Sequence, residues 1–288
     1  MKQVVLIFVD GLGLGGVDPA INPIHNGACP NLERLLDGHA VPIDASLGVP
    51  GLPQSATGTT AILTGVNAVQ IAGRHVEGFP SGPLKEVIRK ENIFTKLAAM
   101  GLTSTFANAY FVDEVAEVEK GRHQSVTTVA ALSAFGRVRD KAMLEQNEAV
   151  YQDLTRESLR ARGYTGPLVS PAESAHHLMA IARQHHFTLF EYFQTDRAGH
   201  SGEPAQVRKA LSLLDEFVGA LLPLANGEGM LLAMTSDHGN IEDGRTQAHT
   251  LNPVPFVAMG PGSKALETRV KSIVDVTPAL LEWFSRSG

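Results

Sequence analysis

Cysteine is almost missing from this chain. Cys29 is the only one in 288 residues, so no disulfide can close within the chain and no zinc site can rest on thiolates. Basic runs are missing too. The 24 Lys and Arg are outnumbered by 30 Asp and Glu, giving a formal net charge of -6, and no Lys/Arg stripe offers a footprint for a phosphate backbone; nucleic acid is excluded as an expected partner. Long apolar runs are the third absence. Met1-Lys2-Gln3 leads into an apolar run, Val4 to Val9, that stops at Asp10, too short for a signal-peptide core, and nothing reaches the roughly 20 residues of a membrane span. The expectation is a cytoplasmic protein that works on a small molecule, makes no membrane contact, and has an oligomeric state left open. Hydrophobic residues at 43% and charged residues at 19% fit an ordinary folded chain, long enough for a single large domain over 1–288 with a small insertion.

What is present is a repeated arrangement of apolar segment and acid. Val4-Val5-Leu6-Ile7-Phe8-Val9 ends at Asp10, the segment Phe187 to Gln194 leads to Asp196, and Met230-Leu231-Leu232-Ala233-Met234 runs into Thr235-Ser236-Asp237-His238-Gly239-Asn240. A buried strand that delivers a carboxylate and an imidazole at its carboxyl end places hard oxygen and nitrogen donors where open α/β sheets bind ligands. Asp196 and His200 fall on one face if their turn is helical. His249 precedes a further apolar strand near Val254 to Met259 and can fold back to the same crevice. Taken one at a time these residues have plain explanations, since an Asp can cap a helix and a His can be a satisfied polar group near the core. Jointly they supply a ligand set on one rim of a sheet, where chance would scatter them over both.

The segment after Asp10, Gly11-Leu12-Gly13-Leu14-Gly15-Gly16, matches GxGxxG and raises a nicotinamide-cofactor reading. That fingerprint needs a helix to open within the glycines, and Asp18-Pro19 and Asn22-Pro23 read as loop, so the glycines are assigned a backbone role around Asp10. A helix is expected from Pro30. Gln54-Ser55-Ala56-Thr57-Gly58 leads into a short helix whose amino terminus favours an anion, so Ser55 is placed for nucleophilic work; either Ser55 or Thr57 can instead be a simple cap. The stretch from Val66 to about Pro83, with Arg74-His75, reads as a substrate-facing loop. A helix over Asn92 to Met100 and a strand over Leu102 to Asn108 follow. From 110 to 166 the charged stretches Glu114 to Glu119 and Lys141 to Arg162 predict a small helical excursion over the sheet edge. Helices are expected near Ala172 to His185, where His176, His177, His185 and His186 read as surface or packing residues, and also over Pro204 to Leu224 and Asp275 to Phe284.

With these motifs in order, the chain resembles the alkaline phosphatase superfamily, and within it the branch of cofactor-independent phosphoglycerate mutase and phosphopentomutase. The likeness rests on Phe8-Val9-Asp10-Gly11, Pro30-Asn31-Leu32, Gln54 to Gly58, Thr195-Asp196-Arg197-Ala198-Gly199-His200, Thr235 to Asn240 and Ala248-His249-Thr250, and spans nearly the whole sequence. It implies an α/β fold with a mostly parallel sheet sandwiched by helices. It also implies two divalent metal ions, zinc or manganese: one held by Asp196, His200 and His249, the other by Asp10, Asp237, His238 and the Ser55 oxygen. Ser55 falls at the family's nucleophile position, and Arg74, His75 and Asn108 are candidates for substrate contacts. The implied activity is hydrolysis or transfer of a small phosphoester through a phosphoserine. An intramolecular phosphomutase and a non-catalytic metal-binding protein are the alternatives. The mutases carry a large inserted cap for which this chain has no room, and Ser55-Ala56-Thr57-Gly58-Thr59 does not match the sulfatase motif.

Overall fold

The computed structural model describes residues 1–286. Its organising element is β1 (Val4–Val9), in which every residue is buried. Successive side chains of a strand point to opposite faces, so Val4, Leu6 and Phe8 enter one core while Val5, Ile7 and Val9 enter another. Burial on both faces explains the unbroken apolar run. The other strands are β2 (Val41–Ile43), β3 (Ser104–Phe106), β4 (Phe187–Tyr192), β5 (Leu231–Thr235) and β6 (Val254–Met259).

They form one sheet in the order β2-β6-β5-β1-β4-β3. The pairs β1 with β4, β1 with β5 and β3 with β4 are parallel, whereas β6 is antiparallel to both β5 and β2. Because β5, β1 and β4 are neighbours running the same way, the three expected aspartate-bearing ends come out side by side.

The helices are α1 (Pro30–His39), α2 (Ser55–Thr64), α3 (Ala68–Ala72), α4 (Gly82–Glu91), α5 (Ile93–Ala99), α6 (Val115–Glu119), α7 (Val126–Phe135), α8 (Lys141–Glu145), α9 (Pro171–Ala182), α10 (Gln194–Ser201), α11 (Pro204–Gly227), α12 (Ser263–Arg269) and α13 (Val276–Ser285). Residues of α1, α9 and α11 cover one face of the sheet, and residues of α2, α4, α5, α7 and α13 cover the other. No helix among the described residues is long and apolar enough to cross a membrane.

Four local differences from the sequence reading have physical causes. β2 is a three-residue edge strand with Pro42 at its centre, too short for a period and tolerated at an edge because proline has no donor to contribute. The stretch 66–83 contains α3, nucleated by the Asn67 side chain accepting from Gln70 N. Within 110–166, α7 is part of the main core: Val126, Val129, Ala130 and Ala131 join it, since short side chains let this helix approach closely. The helix expected over Lys141 to Arg162 stops at Glu145. Asn147, Leu154 and Arg156 adopt left-handed backbone angles, and the Asp153 carboxylate accepts from the amides of Thr155, Arg156 and Ser158, offering the chain a turn in competition with helix.

Candidate metal centre

Parallel pairing sets Phe8 beside Thr235 and Val9 beside Tyr192, so the loops that leave β1, β5 and β4 start from one rim. Asp10 follows β1, Asp237 and His238 follow β5, and α10 carries Asp196 and His200 one turn apart. The backbone holds this rim together: the Asp10 amide donates to Tyr192 O at 2.9 Å, and the Thr195 hydroxyl donates to Asp10 O at 2.5 Å.

The side chains converge as two overlapping groups. His200 Nε2 lies 3.3 Å from Asp196 Oδ1, His249 Nε2 lies 3.4 Å from the same oxygen, and the two Nε2 atoms are 3.0 Å apart. In the second group His238 Nε2 is 3.2 Å from Asp10 Oδ1, 3.7 Å from Asp237 Oδ1 and 3.0 Å from Ser55 Oγ. The His238 and His249 rings stack at 3.7 Å, tying the groups together. Donor atoms of Asp10, Asp237 and His238, and of Asp196, His238 and His249, all lie within 4.8 Å of one another in each set.

Each imidazole is oriented from behind. His249 Nδ1 meets Pro53 O at 2.7 Å, His200 Nδ1 meets Gln247 O at 2.7 Å and His238 Nδ1 meets Gly239 O at 3.4 Å. A carbonyl only accepts, so each Nδ1 carries a proton and each Nε2 is the ring atom turned inward, where it can offer a lone pair to a cation that displaces any proton held there. Asp10 Oδ1 and Asp196 Oδ1 are buried without a hydrogen-bond donor. Carboxylate oxygens and imidazole Nε2 atoms crowded this closely call for positive charge among them, which a bound cation can supply in place of protons. This donor set fits divalent ions.

The electrostatics agree. Burial, reinforced by the Asp237 charge, raises the Asp10 carboxyl well above the usual range. Burial likewise raises Asp237, against the opposing pull of His238 and a hydrogen bond from Thr59. For Asp196 burial acts upward, but the neighbouring His249, His238 and His200 imidazoles outweigh it and hold the carboxyl low. Burial opposes a charge on His238, yet Asp237, Asp10 and Asp196 push it up to about 10.

Ser55 opens α2 at its first position. This helix packs directly on the β5 loop: a Cβ at Gly58 would stand 2.8 Å from both Asp237 Cβ and Asp237 O, so only glycine permits the approach. The Thr57 hydroxyl is committed elsewhere, donating to Gln54 O at 3.1 Å and accepting from Val76 N at 3.3 Å. Arg74 is exposed and His75 bonds Val49 O through Nε2 at 3.2 Å. Their segment is held against α2 where the Ala56 amide donates to Val76 O. Asn108 is not brought to the centre. Its amide donates to Glu191 O at 2.7 Å and accepts from Glu191 N at 2.8 Å, which continues the sheet pairing beyond β3.

Three contributors escaped the sequence reading. Thr59 donates to Asp237 Oδ2 at 2.9 Å. Glu242 is buried and accepts from Gly13 N, Asn240 N, the Thr250 hydroxyl and the Asn252 amide, so the glycine run after Asp10 wraps a carboxylate of its own chain and no helix starts in it. A glutamate within the buried stretch Asn240-Ile241-Glu242 was the available signal.

Glu191 is the third. It is half-buried on the α7 side of the sheet, accepts from the Thr127 hydroxyl at 2.7 Å, and is pushed up to about 7 chiefly by burial. A carboxyl raised on folding binds its proton more tightly in the folded state. That contribution is present below the unfolded value of 4.5 and is lost as pH rises through about 7. Glu191→Gln in metal-free protein is therefore expected to remove a pH-dependent loss of roughly 2 kcal/mol between pH 5 and 8 in thermal melts; parallel melting curves for variant and wild type across that window would refute it.

A family model described as the metalloenzyme superfamily matches residues 2–285. The chain belongs to this superfamily. Curated relatives include the 2,3-bisphosphoglycerate-independent phosphoglycerate mutase of Myxococcus xanthus, 37% identical over 101 residues that cover 33% of this chain and 20% of the relative. The enzyme of the same name from Cereibacter sphaeroides is 25% identical over 246 residues, covering 83% of this chain and 45% of the relative. The superfamily member described here thus spans under half the length of these relatives. Among solved structures, alkaline phosphatase from the Antarctic bacterium TAB5 aligns over 100% of both chains with TM-score 0.61 and 14% identity. A Leishmania mexicana phosphoglycerate mutase aligns over 100% of this chain and 96% of its own with TM-score 0.54 and 11% identity. At such identities the likeness is one of fold, and that fold is alkaline phosphatase-like, as the motifs imply.

Proposed function

We propose that this protein transfers or hydrolyses the phosphoryl group of a small phosphorylated metabolite, with Ser55 as nucleophile and two divalent ions, zinc or manganese, as cofactors. One observation carries the reading: a serine hydroxyl at a helix amino terminus stands 3.0 Å from an imidazole that also faces two carboxylates, the half-buried Asp10 at 3.2 Å and the buried Asp237 at 3.7 Å. Asp196, His200 and His249 would hold one ion, and Asp10, Asp237, His238 and Ser55 Oγ the other. Bound there, the ions supply the positive charge that offsets the phosphoryl oxygens and favours ionised serine.

The chain's own groups supply the rest. The amino-terminal dipole of α2 stabilises negative charge on Ser55 Oγ. The hydrogen bond of Thr59 and the packing of Gly58 fix Asp237, and the carbonyls of Pro53, Gln247 and Gly239 fix the imidazoles. Ser55 Oγ bonds to phosphorus as the ester P–O bond breaks, and the departing oxygen takes up a proton. Water then attacks the phosphoserine in a hydrolase. In a mutase, a second hydroxyl of the same substrate does so. Arg74 and His75, on the segment against α2, are the proposed contacts for substrate oxygens. The names of the curated relatives favour a mutase as the second reading; a cytoplasmic location and independence from nucleic acid and membrane belong to the same proposal.

Chelation is the test. Stripping metal is expected to abolish turnover across a panel of phosphoesters, and zinc or manganese to restore it. Ions at about 1,000 times their dissociation constant are expected to stabilise the fold by about 4 kcal/mol in thermal melts. Turnover unaffected by chelation would overturn the reading, and metal binding without turnover would favour the non-catalytic alternative.

A further inference from the structure

Asn240 lies two residues beyond His238 and is completely buried, yet neither Nδ2 nor Oδ1 of its side chain has a hydrogen-bond partner. An unpaired buried amide is costly, and an aliphatic side chain of like size would fill the same space without that cost. Packing by itself does not explain an asparagine here. The side chain bears directly on α10: a Cβ at Gly199 would lie 1.5 Å from Asn240 Oδ1 and 2.6 Å from its Cγ. Gly199 therefore answers to proximity. It precedes His200 and lies three residues, about one helical turn, beyond Asp196, on the neighbouring part of the same helix face. The backbone of Asn240 is itself anchored, its amide donating to Glu242 Oε2 at 2.7 Å.

The side chain of Asn240 is thus clamped at one end to the β5 loop, which carries Asp237 and His238, and abuts at the other the helix that carries Asp196 and His200. We propose that the Asn240–Gly199 contact is a spacer that sets the distance between the two halves of the metal centre. This inference rests on the two-ion reading. Asn240 and Gly199 are positioning residues, and neither is offered as an ion ligand. A spacer of this kind makes a specific demand. Bulk added at 199 must push α10 away, bulk removed at 240 must leave it unbraced, and the two changes together must compensate, since the new methyl enters the space the amide vacates.

Calorimetric zinc titration of the full chain reads this directly. Wild type is expected to bind two ions. Gly199→Ala is expected to weaken one of them by about 10- to 100-fold, the size of effect typical when groups behind metal ligands are altered, and Asn240→Ala to weaken it less. The double variant is expected to recover affinity relative to Gly199→Ala alone. Wild-type affinity for both ions in Gly199→Ala, or a double variant no better than that single one, would overturn the spacer. Should Gly199→Ala fail to fold, Asn240→Ala and the double variant still decide: a folded double variant that binds more weakly than Asn240→Ala would refute compensation. If wild type binds no zinc or manganese, the two-ion reading itself falls, an outcome distinct from failure of the spacer.

Discussion

Replacing Ser55 with alanine is expected to abolish phosphoryl labelling of the protein and to lower turnover by on the order of 10⁴-fold or more, the scale seen when a nucleophile is deleted from a preorganised site. The size of the effect follows from the absence of a substitute nearby. Thr57 is completely buried, and both functions of its hydroxyl are taken by Gln54 O and Val76 N. Ser55 by contrast has its oxygen against His238. The substitution removes one oxygen from the first turn of α2 and no hydrogen bond on which that turn depends, so the fold and much of the cation binding should persist. The measurement is incubation with a labelled phosphoryl donor followed by acid quench, alongside turnover. Label retained in Ser55→Ala would move the nucleophile elsewhere, and loss of label with undiminished turnover would make water the direct attacker.

Glu242→Ala is expected to be the most destabilising single change at the crevice, by about 3–5 kcal/mol, the range for leaving buried charged or polar partners uncompensated. Four donors from three stretches of chain lose their acceptor at once: Gly13 N, Asn240 N, the Thr250 hydroxyl and the Asn252 amide. Those donors belong to the loop after Asp10, the loop after His238 and the segment after His249. One carboxylate therefore ties together three of the ligand-bearing stretches. Thermal melts should show a drop of roughly 10 °C for a chain of this size, and zinc affinity should fall with it. Glu242→Gln keeps the volume but replaces an acceptor with a donor and should lie between the two. A melting temperature within a degree or two of wild type for Glu242→Ala would show that the donors find water or other partners without loss.

Particular residues show what could and could not be read before the fold was known. Asp10 and Asp237 were legible because a strand buried on both faces leaves an apolar run beyond which the first charged side chain stands out, and Asp196 because His200 follows it at helical spacing. His249 was legible from its chemistry and its place before β6. The roles of Glu242 and Asn240 were not, since each is defined by contacts with residues far away in sequence, and a carboxylate wrapped by loops looks the same on paper as an exposed one. Asn108 misled for the converse reason. An asparagine just past a strand resembles a ligand, but here its amide imitates a backbone pair and completes the sheet. In 141–162 helix propensity was real and local turn chemistry at Asp153 prevailed over it.

The position of β1 also bears on how the molecule is made. Its first residue, Val4, pairs with Phe187 on one side and Leu231 on the other, so β1 has neither strand partner until some 183 to 227 further residues have been made. At about 5–20 residues per second this amounts to roughly 10–45 s of waiting. Throughout that interval a valine-rich, uncharged segment presents open edges to any other chain that meets it. A nascent-chain chaperone is the natural remedy for a topology whose central strand waits so long for both neighbours.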